Sequence, residues 1–157
     1  MSVEDRVFAA ADATGVPYQK VEIDPAYADT AAFCEKYGYP MEKSANAILV
    51  ASKKEPKSYA VCVVLATTRL DVNRKVTTIL GVSRASFATA DEMRALTGME
   101  VGGLTPLALP DGLPLYVDEQ IRDLDWVIIG AGGRGSKLKI SPEVFLRVGG
   151  KFADLTK

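Results

Sequence analysis

Polar and apolar positions change period several times along the chain, and each change marks an element. Ser2-Val-Glu-Asp5 reads as a capping box, and the helix that it opens closes at Gly15, with Val16-Pro17 turning the chain. Tyr18 to Ile23 then alternates as a short strand, which Asp24-Pro25 breaks. A second helix is predicted from about Thr30 to Tyr37, stopped by Gly38. From Pro40 to Ala51 the chain passes into a continuous apolar run that reads as a buried strand. Lys53 to Lys57, with Pro56, makes a hairpin-type turn, and Ser58 to Ala66 is a second, very apolar strand.

The second half changes period more often. Asp71 can cap a helix through Leu80 that ends at Gly81, and Arg84 to Ala88 is a short strand. Thr89-Ala-Asp-Glu92 is another capping box, for a helix closing at Gly98. Strands come next at Leu115 to Val117 and Asp125 to Ile129, with a short helix starting at Asp118-Glu119 between them. Gly130 to Gly135 turns the chain into the strand Lys137-Leu-Lys-Ile140. Ser141-Pro142-Glu143 starts a helix with proline at its first position, and Lys151 to Leu155 is a last strand. Strict βαβ alternation is absent, which predicts an α+β fold with a mixed sheet. No repeat or linker interrupts it, so residues 1–157 read as a single domain.

Composition removes whole classes of chemistry. There is no histidine, which excludes Ser-His-Asp and Cys-His catalysis, imidazole metal ligands and imidazole proton relays. Cys34 and Cys62 stand in no metal or redox spacing and sit in apolar periodic segments, so both are expected in the core of a reduced, cytoplasmic protein. No metal or cofactor is expected. The longest apolar run, Ala60 to Ala66, is too short for a bilayer, and no basic-then-apolar leader opens the chain, so no membrane partner is expected. A net charge of −1 gives no general attraction to nucleic acid. DNA is not an expected partner, and RNA would need a local basic patch. Lys53, Lys54, Lys57, Arg69, Arg74 and Lys75 either gather into such a patch or form an ordinary solvated surface.

The most unusual stretch runs from Thr97 to Ile121, where Gly98, Gly102, Gly103, Pro106, Pro110, Gly112 and Pro114 fall between a helix and a strand. Paired glycines let backbone N–H groups approach a ligand; Thr105 adds a hydroxyl and Pro106 fixes the exit. Such a loop either presents donors to a carbonyl oxygen or is simply a long turn-rich connection. Gly130-Ala-Gly132-Gly133-Arg-Gly135 matches G-x-G-x-x-G, but it leads into a strand and little chain remains, so the dinucleotide reading fails. A tight turn, lining a pocket with Gly102-Gly103 or forming a plain hairpin, fits better. Asp118 either caps a helix or points into a pocket.

Three segments together resemble a known family: Ser44-Ala-Asn-Ala-Ile-Leu-Val50; Leu96-Thr-Gly98 continuing to Gly102-Gly-Leu-Thr-Pro106; and Tyr116-Val-Asp118 with Gly130-Ala-Gly-Gly-Arg-Gly135. In order and spacing they look like the YbaK/ProX family, also found as the editing insertion of bacterial prolyl-tRNA synthetases. The resemblance covers about Ala28 to Leu155. It implies an α+β fold on a mixed, barrel-like sheet with flanking helices, and trans-editing hydrolysis of the ester between a mischarged small amino acid and its tRNA. Aminoacyl-tRNA is the implied transient partner, an aminoacyl-tRNA synthetase a further option, and no cofactor is implied.

Family members usually carry a lysine followed by Ser or Thr before the first apolar strand. Here that position holds Asn46, then Ala47, with Lys43 three residues earlier as a less direct stand-in. An amide still donates a hydrogen bond but carries no charge. Asn46 with the amides of Gly102 and Gly103 is therefore the expected catalytic set. Lys43, Thr105, Pro106, Asp118, Gly130 and Gly132 are the expected substrate contacts. The alternatives are a homologue that has lost catalysis and binds an aminoacyl group or a synthetase, and a small-molecule esterase or amino-acid-binding protein.

Overall fold

The computed structural model describes residues 1–157. Its helices are α1 (Val3–Thr14), α2 (Thr30–Tyr37), α3 (Thr77–Leu80), α4 (Ala90–Thr97) and α5 (Glu143–Arg147). Its strands are β1 (Tyr18–Glu22), β2 (Ala45–Ser52), β3 (Tyr59–Leu65), β4 (Ala85–Phe87), β5 (Leu115–Asp118), β6 (Val127–Gly130), β7 (Ser136–Ile140) and β8 (Lys151–Ala153). Both capping boxes form: Ser2 with Asp5 at α1, and Thr89 with Glu92 at α4. Asp71 also caps, accepting from Arg74 N–H, but the cap opens a π-turn over Val72–Val76 that precedes the single turn of α3. The β-branched run and the Thr77 and Thr78 hydroxyls, which donate back to the Arg74 carbonyl, favour this wider turn over a regular helix.

The sheet is mixed, as expected, but it is divided in two. A five-stranded sheet has the order β4-β2-β3-β5-β8, and a three-stranded sheet the order β1-β7-β6. β2 pairs antiparallel with β3 and β4, whereas β5 runs parallel to β3 and to β8. The smaller sheet is antiparallel throughout. A parallel bridge from Ser44 to Ile128 joins the two. Hydrogen bonding goes no further between them, so no closed barrel forms. The reason lies in β2, whose outer edge is claimed by β4 from Val50 onward, while only Ser44, just before the strand, bridges to β6.

β3 is buried on both faces, which explains its unbroken apolar sequence. Val61, Val63 and Leu65 join the main core with Val7 and Phe145; Cys62 and Val64 pack on the other face with Leu70, Val76 and Leu155. A third cluster holds Val21, Phe33, Cys34 and Ile128 between α2 and the smaller sheet. Both cysteines are buried as expected, and burial pushes the Cys62 thiol up to about 12, so it is no nucleophile. No helix is long and apolar enough to cross a membrane.

Candidate active site

Where the two sheets part, β2 is left without an outer neighbour around Asn46 and Ala47, and a cavity of about 500 Å³ fills the fork. Its walls come from distant segments: Asp29 and Thr30 at the start of α2, Asn46 on β2, Phe87 and Met93 from β4 and α4, Gly102 and Leu104, and Gly130 with Lys137. The two glycine-rich stretches meet here. Glu100 N–H donates to the Gly132 carbonyl at 2.9 Å, Gly132 N–H to the Gly103 carbonyl at 2.6 Å, and Gly103 N–H to the Glu100 carbonyl at 2.9 Å.

That closure corrects one expectation. The Gly103 amide faces inward onto backbone and is not offered to a ligand. Gly103 is required for a different reason: a Cβ there would lie 2.7 Å from Gly132 C and 2.8 Å from Gly132 O. Gly130 is under the same constraint, since its Cβ would meet the Gly103 and Leu104 carbonyl oxygens at 2.8 and 2.9 Å. Gly102, at φ +84°, lines the cavity, and its N–H has no acceptor in the protein. Arg134 braces this rim by donating to the Val101 carbonyl at 2.6 Å and the Pro25 carbonyl at 3.1 Å, with Asp29 Oδ1 at 3.4 Å.

Asn46 is half-buried on the cavity wall, and its Oδ1 accepts from the Thr30 hydroxyl at 2.5 Å. The Nδ2 group is thereby left as a donor without a protein acceptor. Lys137 also lines it, only 6% exposed, directly across the β6–β7 ladder from Gly130. Its Nζ lies 5.1 Å from the Phe33 ring centroid and makes no ion pair or hydrogen bond. Burial holds the Lys137 pKa below the usual lysine value; Cys34 and Asp29 pull it up, and Arg134 pushes it further down. The sequence reading missed this residue, together with Asp29, Thr30 and Phe87. The period-two alternation in β7 separates Lys137 and Lys139 from Leu138 and Ile140, but nothing local shows that α2 would cover the lysine face.

The other expected contacts lie off the cavity. Lys43 Nζ pairs with Asp125 at 2.6 Å and sits 4.5 Å from the Trp126 ring centroid, so it is no stand-in for a cavity lysine. Asp118 is fully buried beneath the sheet, with Oδ1 accepting from Leu155 N–H at 2.9 Å and Oδ2 from the Gln120 side chain at 3.0 Å. Gly132 holds the loop closure with its amide, and a Cβ there would meet Val3 and Val7 at 3.0 Å. Pro106 borders a different hollow, with Ala108 and Leu109. Of the surface lysines, Lys57 pairs with Glu92 and Lys75 with Asp154.

Thr105 is fully buried, and its hydroxyl finds no partner. An orphaned hydroxyl costs stability, so Thr105→Val is expected to stabilise the protein by about 1 kcal/mol in urea titration. A loss of stability would show that the hydroxyl is satisfied in solution.

Ala90 and Met93 of α4 complete the apolar side. Glu92 secures that helix by accepting from Thr89 N–H at 3.0 Å, Tyr59 Oη at 2.8 Å and Lys57 Nζ at 3.2 Å. The Thr89 amide first, then Tyr59 and Lys57, hold its carboxyl down at about 2, against an ordinary 4.5. A depressed folded-state value means that the contribution is complete above pH 4.5 and is lost as pH falls toward 2. Glu92→Gln is expected to flatten the acid limb of the unfolding midpoint in that window, and an unchanged limb would contradict the contact.

The sequence profile of the aminoacyl-tRNA editing domain family matches residues 24–148. A protein of Enterococcus faecalis, provisionally named Cys-tRNA(Pro)/Cys-tRNA(Cys) deacylase EbsC, is 27% identical over 110 residues, covering 69% of this chain. The aligned part spans 65% of that relative's length. Among solved structures, one described provisionally as a trans-editing enzyme for prolyl-tRNA synthetase superposes with a TM-score of 0.85 at 24% identity, covering 100% of this chain and 98% of that one. A hypothetical protein superposes with a TM-score of 0.86 at 25% identity, covering 97% and 99%. These likenesses bear on the fold.

Proposed function

The chain belongs to the aminoacyl-tRNA editing domain family, and from that premise we propose that it hydrolyses, in trans, the ester of a small amino acid mischarged on tRNA. The observation that carries this reading is a single cavity lined by Gly102 and Asn46, whose N–H and Nδ2 groups have no acceptor in the protein. Water adds to the ester carbonyl carbon, negative charge gathers on the carbonyl oxygen, and fixed donors stabilise it without reorganising. Collapse breaks the bond to the ribose oxygen, which takes the proton from the water. The substrate's own ribose hydroxyl and amino group can assist, so the absence of histidine is no obstacle. Ile48, Leu49, Met93 and Leu104 would meet the amino-acid side chain and select by volume. Residues 1–157 then act as one cytoplasmic domain with aminoacyl-tRNA as its transient partner. Association with a synthetase is compatible with this role.

The test is release of amino acid from alanyl-, cysteinyl-, seryl- and prolyl-tRNA. Hydrolysis of at least one above the buffer rate is expected; none across the panel would sink the proposal. Asn46 in the usual lysine position favours a second reading, a binding module without turnover. A gain of hydrolysis in Asn46→Lys from an inert parent would support that one.

Phe87 stands at the cavity mouth, 59% exposed, where an aromatic face can take a terminal base. Stacking on one ring is worth enough that Phe87→Ala is expected to raise KM for tRNA roughly tenfold with little change in kcat. An unchanged KM would mean that no base stacks there.

A further inference from the structure

We propose that Lys137 is the cationic donor of this site, its ammonium holding the ester carbonyl oxygen from β7. The proposal rests on the deacylase reading above. Asp29 and Lys137 are the charged residues on the cavity wall, and Asp29 lies beside Arg134. Lys137 is left with a desolvated charge and no counter-ion, an arrangement that costs stability and that a fold keeps where the charge has work outside it. The path to the cavity is built in. Cross-strand neighbours in an antiparallel ladder project to the same face, and Gly130, opposite Lys137, borders the cavity with it. Phe33 supports the ammonium from below at 5.1 Å. On β2, Asn46 supplies only a neutral amide, anchored by Thr30.

In the step itself a water oxygen bonds to the carbonyl carbon and the carbonyl π pair moves onto oxygen. Lys137 Nζ, Asn46 Nδ2 and Gly102 N–H hold that oxygen. The pair then returns, the carbon–ribose oxygen bond breaks, and the proton shed by the water goes to the ribose oxygen. Lys137 keeps its proton throughout and binds charge that exists only during the reaction.

The experiment compares the wild type with Lys137→Met and with the double variant Asn46→Lys/Lys137→Met, on whichever tRNA ester the wild type hydrolyses. Methionine keeps the packing on Phe33 while removing the charge. Lys137→Met is expected to lower kcat roughly 10²–10³-fold, with KM within a few-fold and the unfolding midpoint equal or higher. The double variant, which returns a cation to the same cavity from β2, is expected to recover at least tenfold of that loss. A merely structural role would not give rescue by a displaced charge. A kcat for Lys137→Met within threefold of wild type overturns the assignment, as does a loss that the double variant fails to recover. If the wild type hydrolyses no ester, the deacylase reading falls first and this one with it.

Discussion

Gly103→Ala is expected to cost roughly 3 kcal/mol or more of folding stability, because the added methyl meets main chain that cannot rotate away. The new Cβ would stand 2.7 Å from Gly132 C and 2.8 Å from Gly132 O, with the Gly133 carbonyl oxygen closer still. A flexible side chain could swing aside at these distances. Backbone held by the Glu100–Gly132 and Gly132–Gly103 hydrogen bonds has to break the closure instead. The site should suffer as well, since Gly102 is positioned by that same closure. Gly112→Ala is the comparison: its φ of +84° strains any L-residue, but nothing lies within 4 Å, so about 1 kcal/mol is expected there. Urea midpoints of the two variants, read with tRNA ester hydrolysis, test the contrast. Equal losses would mean that loop strain, and not backbone contact, sets the requirement for glycine.

Asp118→Ala carries the second large effect, a loss of about 3 kcal/mol with no change in substrate affinity. The carboxylate is fully buried and accepts from Leu155 N–H, Gln120 N–H and Gln120 Nε2. Alanine leaves the buried Leu155 N–H unmatched, while Gln120 is exposed and its Nε2 keeps the Thr156 hydroxyl. Leu155 is the sensitive one, because its carbonyl also receives Asp71 N–H at 2.7 Å, so its peptide ties the end of the chain to two elements. Asp118→Asn should also destabilise, since the amide group presents a donor where Gln120 already donates. Thermal melts should show both losses, while KM measured well below the melting temperature stays at the wild-type value. A KM shift at unchanged stability would return Asp118 to the substrate.

The parts of this architecture that chemistry fixes within four residues could be read from the sequence: the Ser2 and Thr89 boxes, the alternation of β1, the doubly buried β3. The approach of the two glycine stretches was legible as one of two alternatives, because residues without side chains are needed where main chains touch. Lys43 was misread for the opposite reason. Its partner Asp125 lies 82 residues away, and no local pattern announces it. Lys137 was missed because its burial depends on α2 folding over the smaller sheet, a tertiary event that β7 does not encode. The division of the sheet likewise arises from competition between β4 and β6 for one edge of β2, which neither strand reveals alone.

That competition has a mechanical consequence. With main-chain bonding between the sheets reduced to Ser44–Ile128, what holds them together is side-chain packing, in a core that Val61, Val63 and Val117 of one share with Val127, Ile129 and Leu138 of the other. The loop closure at Gly103 and Gly132 adds main-chain bonds on one flank of the mouth. A bound acyl group that touches walls from both sheets would therefore protect the fold against urea, since it binds the folded chain alone.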